Sequence, residues 1–391
     1  MIIIVLENNI EIIMNSNGFS RSQYELQSQV IAFLRFPLIV CLVFFHSTSL
    51  GVQIGDIMFE GDSANMPLHY YSTLIFQGPF AFRNQFFYFV SGFLFFLNVQ
   101  KFDFSIYKKK IKNRINSLLV PYLFWNFVVF AVYFTLQTIP QLSNFTNKDI
   151  HLHDFFSYFW NNEGAMKADY SLVVETGNFP IAYQFWFIRD LMIAILLSPA
   201  IYFFCKKTKI YGILLLGVLW IMDWWVNIPG FSSFWVFFFT AGAYFGIHKR
   251  NLIEDFGKLR ILSFVLFPVI VIIYCLVDKD WGGRGNVQCA AVITGIVFCF
   301  NFVAYLFENG TIKSAPKFLG AATFFIFATH DPFFINGFRK LTYLIIHPES
   351  DLAFTTLFFV NSILVVLCAL GLYYLLRRFL PKFTQIITGG R

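Results

Sequence analysis

The chain has 391 residues, 57% hydrophobic and only 13% charged, with 55 phenylalanines, a mean hydropathy of +0.63 and a formal net charge of +7. A soluble globular chain carries roughly a quarter charged residues, so this inventory excludes a multidomain soluble enzyme, a disordered chain and a coiled coil. What remains is an all-α fold, a polytopic integral-membrane helical bundle: apolar stretches of about 20 residues recur, enough to cross a hydrocarbon core about 30 Å thick, without the alternation of a membrane β-barrel.

In chain order, residues 1–28 form an N-terminal segment, 29–376 the membrane-embedded domain and 377–391 a C-terminal tail. Residues 1–13 are apolar but carry Glu7 and Glu11 and no positive start, so no cleavable signal peptide is read there, and Met14 offers an alternative first residue. The hydropathy pattern predicts about ten transmembrane helices, over 29–48, 80–98, 117–138, 182–204, 210–227, 232–248, 261–277, 287–307, 320–337 and 354–376. Between the first two lies a polar loop, 49–79, with Asp56, Glu60, Asp62 and His69. A basic stretch, Tyr107 to Arg114, precedes the third helix. After it comes the longest polar segment, 139–181, where Asp149, His151, His153, Asp154, Glu163, Asp169 and Glu175 surround Phe155, Phe156, Tyr158, Phe159 and Trp160. That composition suits stacking and hydrogen bonding of sugars, and equally an amphipathic stretch lying in the membrane interface. His69, His151, His153 and His347 read as solvated loop residues. The six cysteines lie in or beside predicted helices without metal-ligand spacing and read as small apolar residues.

The net charge invites a nucleic-acid reading until its distribution is laid out. With a cytoplasmic N-terminus, 20 basic side chains fall on the cytoplasmic side, seven outside (Arg83, Lys148, Lys167, Lys279, Arg284, Arg339 and Lys340), and two, Arg35 and Arg189, inside predicted helices. The positive-inside rule therefore places both N- and C-termini in the cytoplasm. The basic character reports topology and attraction to anionic headgroups of the lipid bilayer, and no nucleic acid is expected as a partner.

Arg35 and His46 do not belong in lipid. Eleven residues at 100° each come to within about 20° of three full turns, so both side chains share one helix face, about 16 Å apart along the axis. An arginine at a helix centre costs about 2.5–3.5 kcal/mol on insertion scales, so such a residue faces protein or a watery cavity. Taken singly, Arg35 can snorkel and His46 can sit at the interface. Their shared face points to one site, where an anionic donor held by arginine threads a flexible arm toward an imidazole able to take a proton from a hydroxyl. Acetyl-coenzyme A has that shape, and the basic stretch ending at Arg114 lies on the same side as Arg35.

Arginine, ten residues, then histidine in the first helix resembles the signature of the acyltransferase-3 family of integral-membrane acyltransferases. Further matches follow in order: Phe86 to Phe93 with Ser91 and Gly92, Arg114 with Leu118-Leu119-Val120-Pro121-Tyr122, Phe185 to Leu191, and Phe325 to Pro332. The resemblance spans about residues 30 to 337. It implies acyl-CoA as a cytoplasmic donor substrate with no permanently bound cofactor, an acceptor presented outside, and residence in the bacterial inner (plasma) membrane. Carried over, Arg35 and His46 become the catalytic core, and Arg35, Arg114 and Ser91 the donor contacts. Two departures are visible. Phe36-Pro37 follows the arginine and invites a bend. The chain also ends at Arg391, so the acceptor site is expected from the membrane domain and its loops.

Other candidates keep two readings each. Ser91 and Gly92 allow close helix packing or line the donor channel. Trp186, Arg189 and Asp190 hold the site architecture or contact the acceptor. His330, followed by Asp331 and Pro332, is a helix-end feature or a second polar residue near the cavity. No clustered ligand set suggests a metal. The sequence thus points to O-acyl transfer, most simply acetyl, to a hydroxyl of a cell-surface glycan or lipid-linked saccharide, with a homodimer left open. The alternative is a non-catalytic transporter of a glycolipid or small anion, with Arg35 as a substrate contact.

Overall fold

The computed structural model describes residues 21–48, 52–54, 57–59, 65–139, 150–161, 179–226 and 228–390. Residues 1–13 and the loop carboxylates Asp56, Glu60, Asp62, Asp149, Glu163, Asp169 and Glu175 lie outside them. The described chain is helical but for a small antiparallel hairpin, β1 (Val52–Ile54) with β2 (Ile57–Phe59). The helices are α1 (Arg21–His46), α2 (Pro67–Gln77), α3 (Phe82–Phe96), α4 (Phe104–Arg114), α5 (Val120–Thr138), α6 (Trp186–Leu196), α7 (Ser198–Ile221) and α8 (Ser233–Ile247). They continue as α9 (Leu252–Gly257), α10 (Arg260–Leu276), α11 (Arg284–Glu308), α12 (Lys317–Thr329), α13 (Ile335–Ile346), α14 (Asp351–Phe379) and α15 (Pro381–Ile387).

Among the described residues, five helical stretches are long and apolar enough to cross a membrane: Gln23–His46, Phe104–Thr138, Arg284–Glu308, Lys317–Ile346 and Asp351–Phe379. Tyr183–Leu196 and Ser198–Ile221 make a sixth if counted as one span bent by 65°, and Ser233–Ile247 and Arg260–Leu276 are shorter apolar helices. The expected division at 204–210 moves. Pro199 sits in the first turn of α7, where its missing N–H does no harm, so the chain breaks at Leu197. The later break survives as a kink at Lys209, whose φ of 53° and ψ of −136° are non-helical.

α1 occupies the middle of the bundle, against α2, α3, α9, α11, α12 and α14. Val30, Ile31, Leu34, Leu38, Leu42 and Val43 are all buried, and the helix runs unbroken through Pro37. Lipid tails are as apolar as these side chains, so helix association there relies on close packing. The tightest approach joins α3 to α8. A Cβ on Gly92 would stand 2.0 Å from the Phe239 carbonyl oxygen, and one on Gly242 would stand 1.8 Å from that of Phe89. Gly246, four residues on, faces Phe93 in the same way.

One end of the bundle gathers basic connections. Gln27 on α1 accepts the Leu252 N–H at 2.7 Å, Gln29 accepts the Ala315 N–H at 2.9 Å, and Trp125 donates to the Ile387 carbonyl at 3.0 Å. Arg250 pairs with Asp255 and Arg260 with Glu308. At the far end the segment 150–161 packs down: Phe155 meets Phe130 edge-on at 4.9 Å, Tyr158 is buried and its carbonyl accepts the Ile181 N–H, while Phe156 and Trp160 stay exposed.

His69, read as a solvated loop residue, and Arg83, counted among the outer basic residues, are both buried. Arg83 is 2% exposed, stacked over Phe45 at 3.8 Å and donating to the carbonyls of Phe76 and Phe80. Its position on α3, just after a helical turn rather than out in the loop, turns it inward. His69 is fully buried between Phe354 and Phe358, because α2 docks on α14, whose Asp351 carboxylate accepts the Leu68 and His69 N–H groups at 2.8 Å each.

Gly242→Ala should force α3 and α8 apart and lower the thermal midpoint in detergent, whereas Gly371→Ala, with nothing within 4 Å, should be neutral. Burial holds the His69 pKa down to about 4, only partly offset by Asp351. The unfolded chain therefore takes up a proton first, and this residue's contribution to stability falls as pH drops from about 6.5 toward 4. Both ring nitrogens lack partners, so His69→Leu should stabilise by about 1–3 kcal/mol and lose that part of the pH dependence, read as thermal midpoints across the range.

Candidate active site

A cavity of about 280 Å³ runs beside α1 and α3. Arg35, Lys110 and Arg114 line it with Asn98 and Asn113, and no carboxylate does. Arg35 makes no hydrogen bond or ion pair with any described residue. Lys110 donates to the Phe95 carbonyl at 2.6 Å, which draws the end of α4 onto α3. Along α3 the lining extends from Phe95 back to Asn84, about 16 Å at 1.5 Å per residue. The walls are Phe86, Phe87, Phe187, Phe324 and Phe327, and Leu42, one turn before His46, lies at the inner limit. Ser91 and Gly92 divide the two roles read for them: Ser91 faces the cavity and Gly92 faces α8.

His46 ends α1, where the helix dipole favours positive charge. Its Nδ1 lies 2.9 Å from the Tyr183 hydroxyl, and that hydroxyl donates to Asp331 Oδ2 at 2.6 Å. A hydroxyl has one proton; given to the carboxylate, it leaves the oxygen to accept from His46 Nδ1–H. Nε2 of His46 then carries the lone pair. The tautomer is thus set by the hydrogen bond that the other ring nitrogen makes.

Three local structures build this chain of contacts. Tyr183 lies on a 3₁₀ turn, Tyr183–Phe185, tied to α5 by the Ala182 N–H donating to Asn126 Oδ1 at 3.2 Å. Gln184 donates from the same turn to the carbonyls of Ala328 and Asp331. A π turn, His330–Phe334, follows α12, and within it Asp331 is extended, with φ −135° and ψ 146°, which turns its carboxylate out of the helix. Asn336 donates to Asp331 Oδ1 at 3.4 Å, and Arg339 bridges Asn336 to the Thr48 carbonyl just beyond α1.

His330 is fully buried with its ring centroid 5.3 Å from that of His46. Trp186, Arg189 and Asp190 are gathered elsewhere. Arg189 Nε and Nη2 both donate to Asp190 Oδ1, at 3.0 and 2.9 Å, and Nη1 donates to the Trp160 carbonyl at 2.7 Å. Ser232 donates to Asp190 Oδ2 at 3.3 Å, so the pair ties α6 to the 150–161 segment and to the start of α8. Trp186 is half-buried against Phe179 and Phe234. None of the three lines the cavity. Sequence reasoning missed Tyr183 and Gln184 as site residues, took in Lys110 only as part of the basic stretch Tyr107 to Arg114, and read Asp331 only as a neighbour of His330. The one available signal was Tyr183-Gln184 directly before the Phe185 to Leu191 match.

The sequence model of an acyltransferase domain, that of the acyltransferase-3 family, matches residues 30–376. Among curated proteins the chain is similar to the succinoglycan biosynthesis protein ExoH of Rhizobium meliloti (strain 1021), 23% identical over 316 residues that cover 77% of each chain. No solved structure matches.

Asp190→Asn would leave the Arg189 guanidinium buried without its counter-charge and should cost about 3–5 kcal/mol of stability. Replacing both by apolar residues of similar size should cost much less; detergent-solubilised thermal midpoints of the single and double variants check this.

Proposed function

The chain belongs to the acyltransferase-3 family, and on that premise we propose that it moves an acyl group, most simply acetyl, from cytoplasmic acyl-CoA to a hydroxyl of a cell-surface glycan or its lipid-linked precursor. The observation that carries this reading is the cavity: three cations without an acid at one end, aromatic walls, and His46 beyond the other end. A donor with phosphates, an extended arm and a terminal thioester fits that polarity. Arg35, Lys110 and Arg114 attract the phosphates, the arm lies along Ser91 and the phenylalanine walls, and the thioester reaches past Leu42.

The acceptor hydroxyl attacks the thioester carbon and gives its proton to His46 Nε2 as the carbon–oxygen bond forms. The tetrahedral oxyanion collapses, the carbon–sulfur bond breaks, and the leaving thiolate takes the proton back from the imidazolium. The products are an ester and coenzyme A. Tyr183, anchored by Asp331, holds Nδ1–H and so keeps the Nε2 lone pair facing the acceptor. An acyl-histidine formed at Nε2 is the covalent variant, and rapid-quench labelling of His46 separates the two. The basic end fits the cytoplasmic face of a bacterial inner membrane, where positive connections concentrate and lie against anionic lipid. The name of the ExoH relative supports a polysaccharide as the acceptor class.

Membranes expressing the wild type should transfer label from acetyl-CoA to envelope glycan. At matched expression His46→Ala should lose about 10²–10⁴-fold and Arg35→Ala should lose donor binding. Tyr183→Phe, which leaves Asp331 and His46 Nδ1 without their shared partner, should lose about tenfold or more. Equal labelling by the wild type, His46→Ala and Arg35→Ala would refute the assignment.

A further inference from the structure

His330 has no exposure to solvent. Its Nδ1 lies 2.7 Å from the Phe327 carbonyl oxygen and 3.2 Å from that of Ile326. Carbonyls only accept, so Nδ1 carries the ring proton and Nε2 of the neutral ring is an acceptor. That Nε2 has no partner, although it is buried. The His46 ring, 5.3 Å away and tilted by 40°, is locked in the same sense, with Nδ1–H given to Tyr183 and Nε2 left as acceptor. Two rigid imidazoles thus present two lone pairs, and neither can satisfy the other.

We propose that this pair sets the acceptor class: the reacting hydroxyl must carry a second hydroxyl within hydrogen-bonding reach, as in a 1,2- or 1,3-diol of a sugar. The inference rests on His46 acting as the base. An alcohol hydroxyl has a single proton, which goes to His46. A mono-alcohol entering the site therefore leaves the buried His330 Nε2 without a donor, and that loss weighs on binding and on the transition state alike. A neighbouring hydroxyl donates to His330 and holds the sugar so that the reacting oxygen faces the thioester. His330 takes no proton in the reaction. Its part is recognition, and the carbonyls of Phe327 and Ile326 keep its donor away from the substrate.

The test uses the full-length protein in lipid nanodiscs with acetyl-CoA and two small acceptors, trans-1,2-cyclohexanediol and cyclohexanol, with ester formation measured by mass spectrometry. The wild type should favour the diol in kcat/KM by about tenfold or more beyond the statistical factor of two. His330→Phe, which keeps an aromatic ring and removes the acceptor, should bring the ratio down to about that factor, chiefly by lowering kcat/KM for the diol. A wild-type ratio near two, or a ratio unchanged in His330→Phe, overturns the proposal. The native glycan supplies a second readout: NMR should place the ester beside a free hydroxyl on the adjacent or next-but-one carbon, and an isolated position overturns the proposal even if neither alcohol is accepted. His46→Ala is the separate arm. If it still transfers, the base assignment has failed; if it abolishes transfer while the diol preference is absent from the wild type, only the acceptor inference has.

Discussion

A guanidinium buried in a membrane bundle needs an anion, a set of backbone carbonyls, or a space that an anion can enter. Arg35 has no acidic neighbour among the described residues, and it opens onto a cavity that Lys110 and Arg114 also line. Much of the fold serves to keep that space. No residue of α1 from Val30 to His46 is exposed, and Arg35 opens onto the cavity rather than outward. α3 and α8 touch backbone to backbone at Gly92 and Gly242, which draws α8 close on one face of α3. One residue back, Ser91 projects about 100° away, and the cavity lies there.

At the other end of α1 the constraint is orientation. The imidazole of His46 is held through Tyr183 and Asp331, and Asp331 is linked through Asn336 and Arg339 back to Thr48 just past α1. The contacts form a closed loop over three pieces of backbone that are remote in sequence. The irregular geometry needed to close it, an extended residue inside a π turn, sits where a helix would otherwise have pointed Asp331 along its own axis. Regular helices carry the helical span from Arg35 to His46, and irregular turns set the ring nitrogen.

The legible parts of the site were those written on one helix. Arg35 and His46 are related by helical period alone, and the Ser91-Gly92 pair by the need for a small residue between helices. The ion pair of Arg189 and Asp190 was conspicuous because adjacent charges are rare in apolar sequence. Tyr183 was invisible for the opposite reason: it lies on a short turn after a long polar segment, and only the folded chain brings it to His46. His69 was misread because the short helix Pro67–Gln77 that carries it was taken as loop, and Arg83, near the start of its helix, was assigned to the outer side when it turns into the bundle. The span count suffered from soft element edges at Pro199 and Lys209, where apolar sequence continues through a change in direction.

The unbroken course of α1 has a mechanical consequence. Arg35 and His46 are carried by one stiff rod, so tilting or breathing of the surrounding helices can widen or narrow the way in without changing their separation. On the proposed reaction, the distance between a donor's anchoring charge and its reacting carbon would be gauged by the rise of one helix rather than by helix packing. A donor bound in that way would be measured against a length that changes in lipid composition and loop motion leave largely untouched.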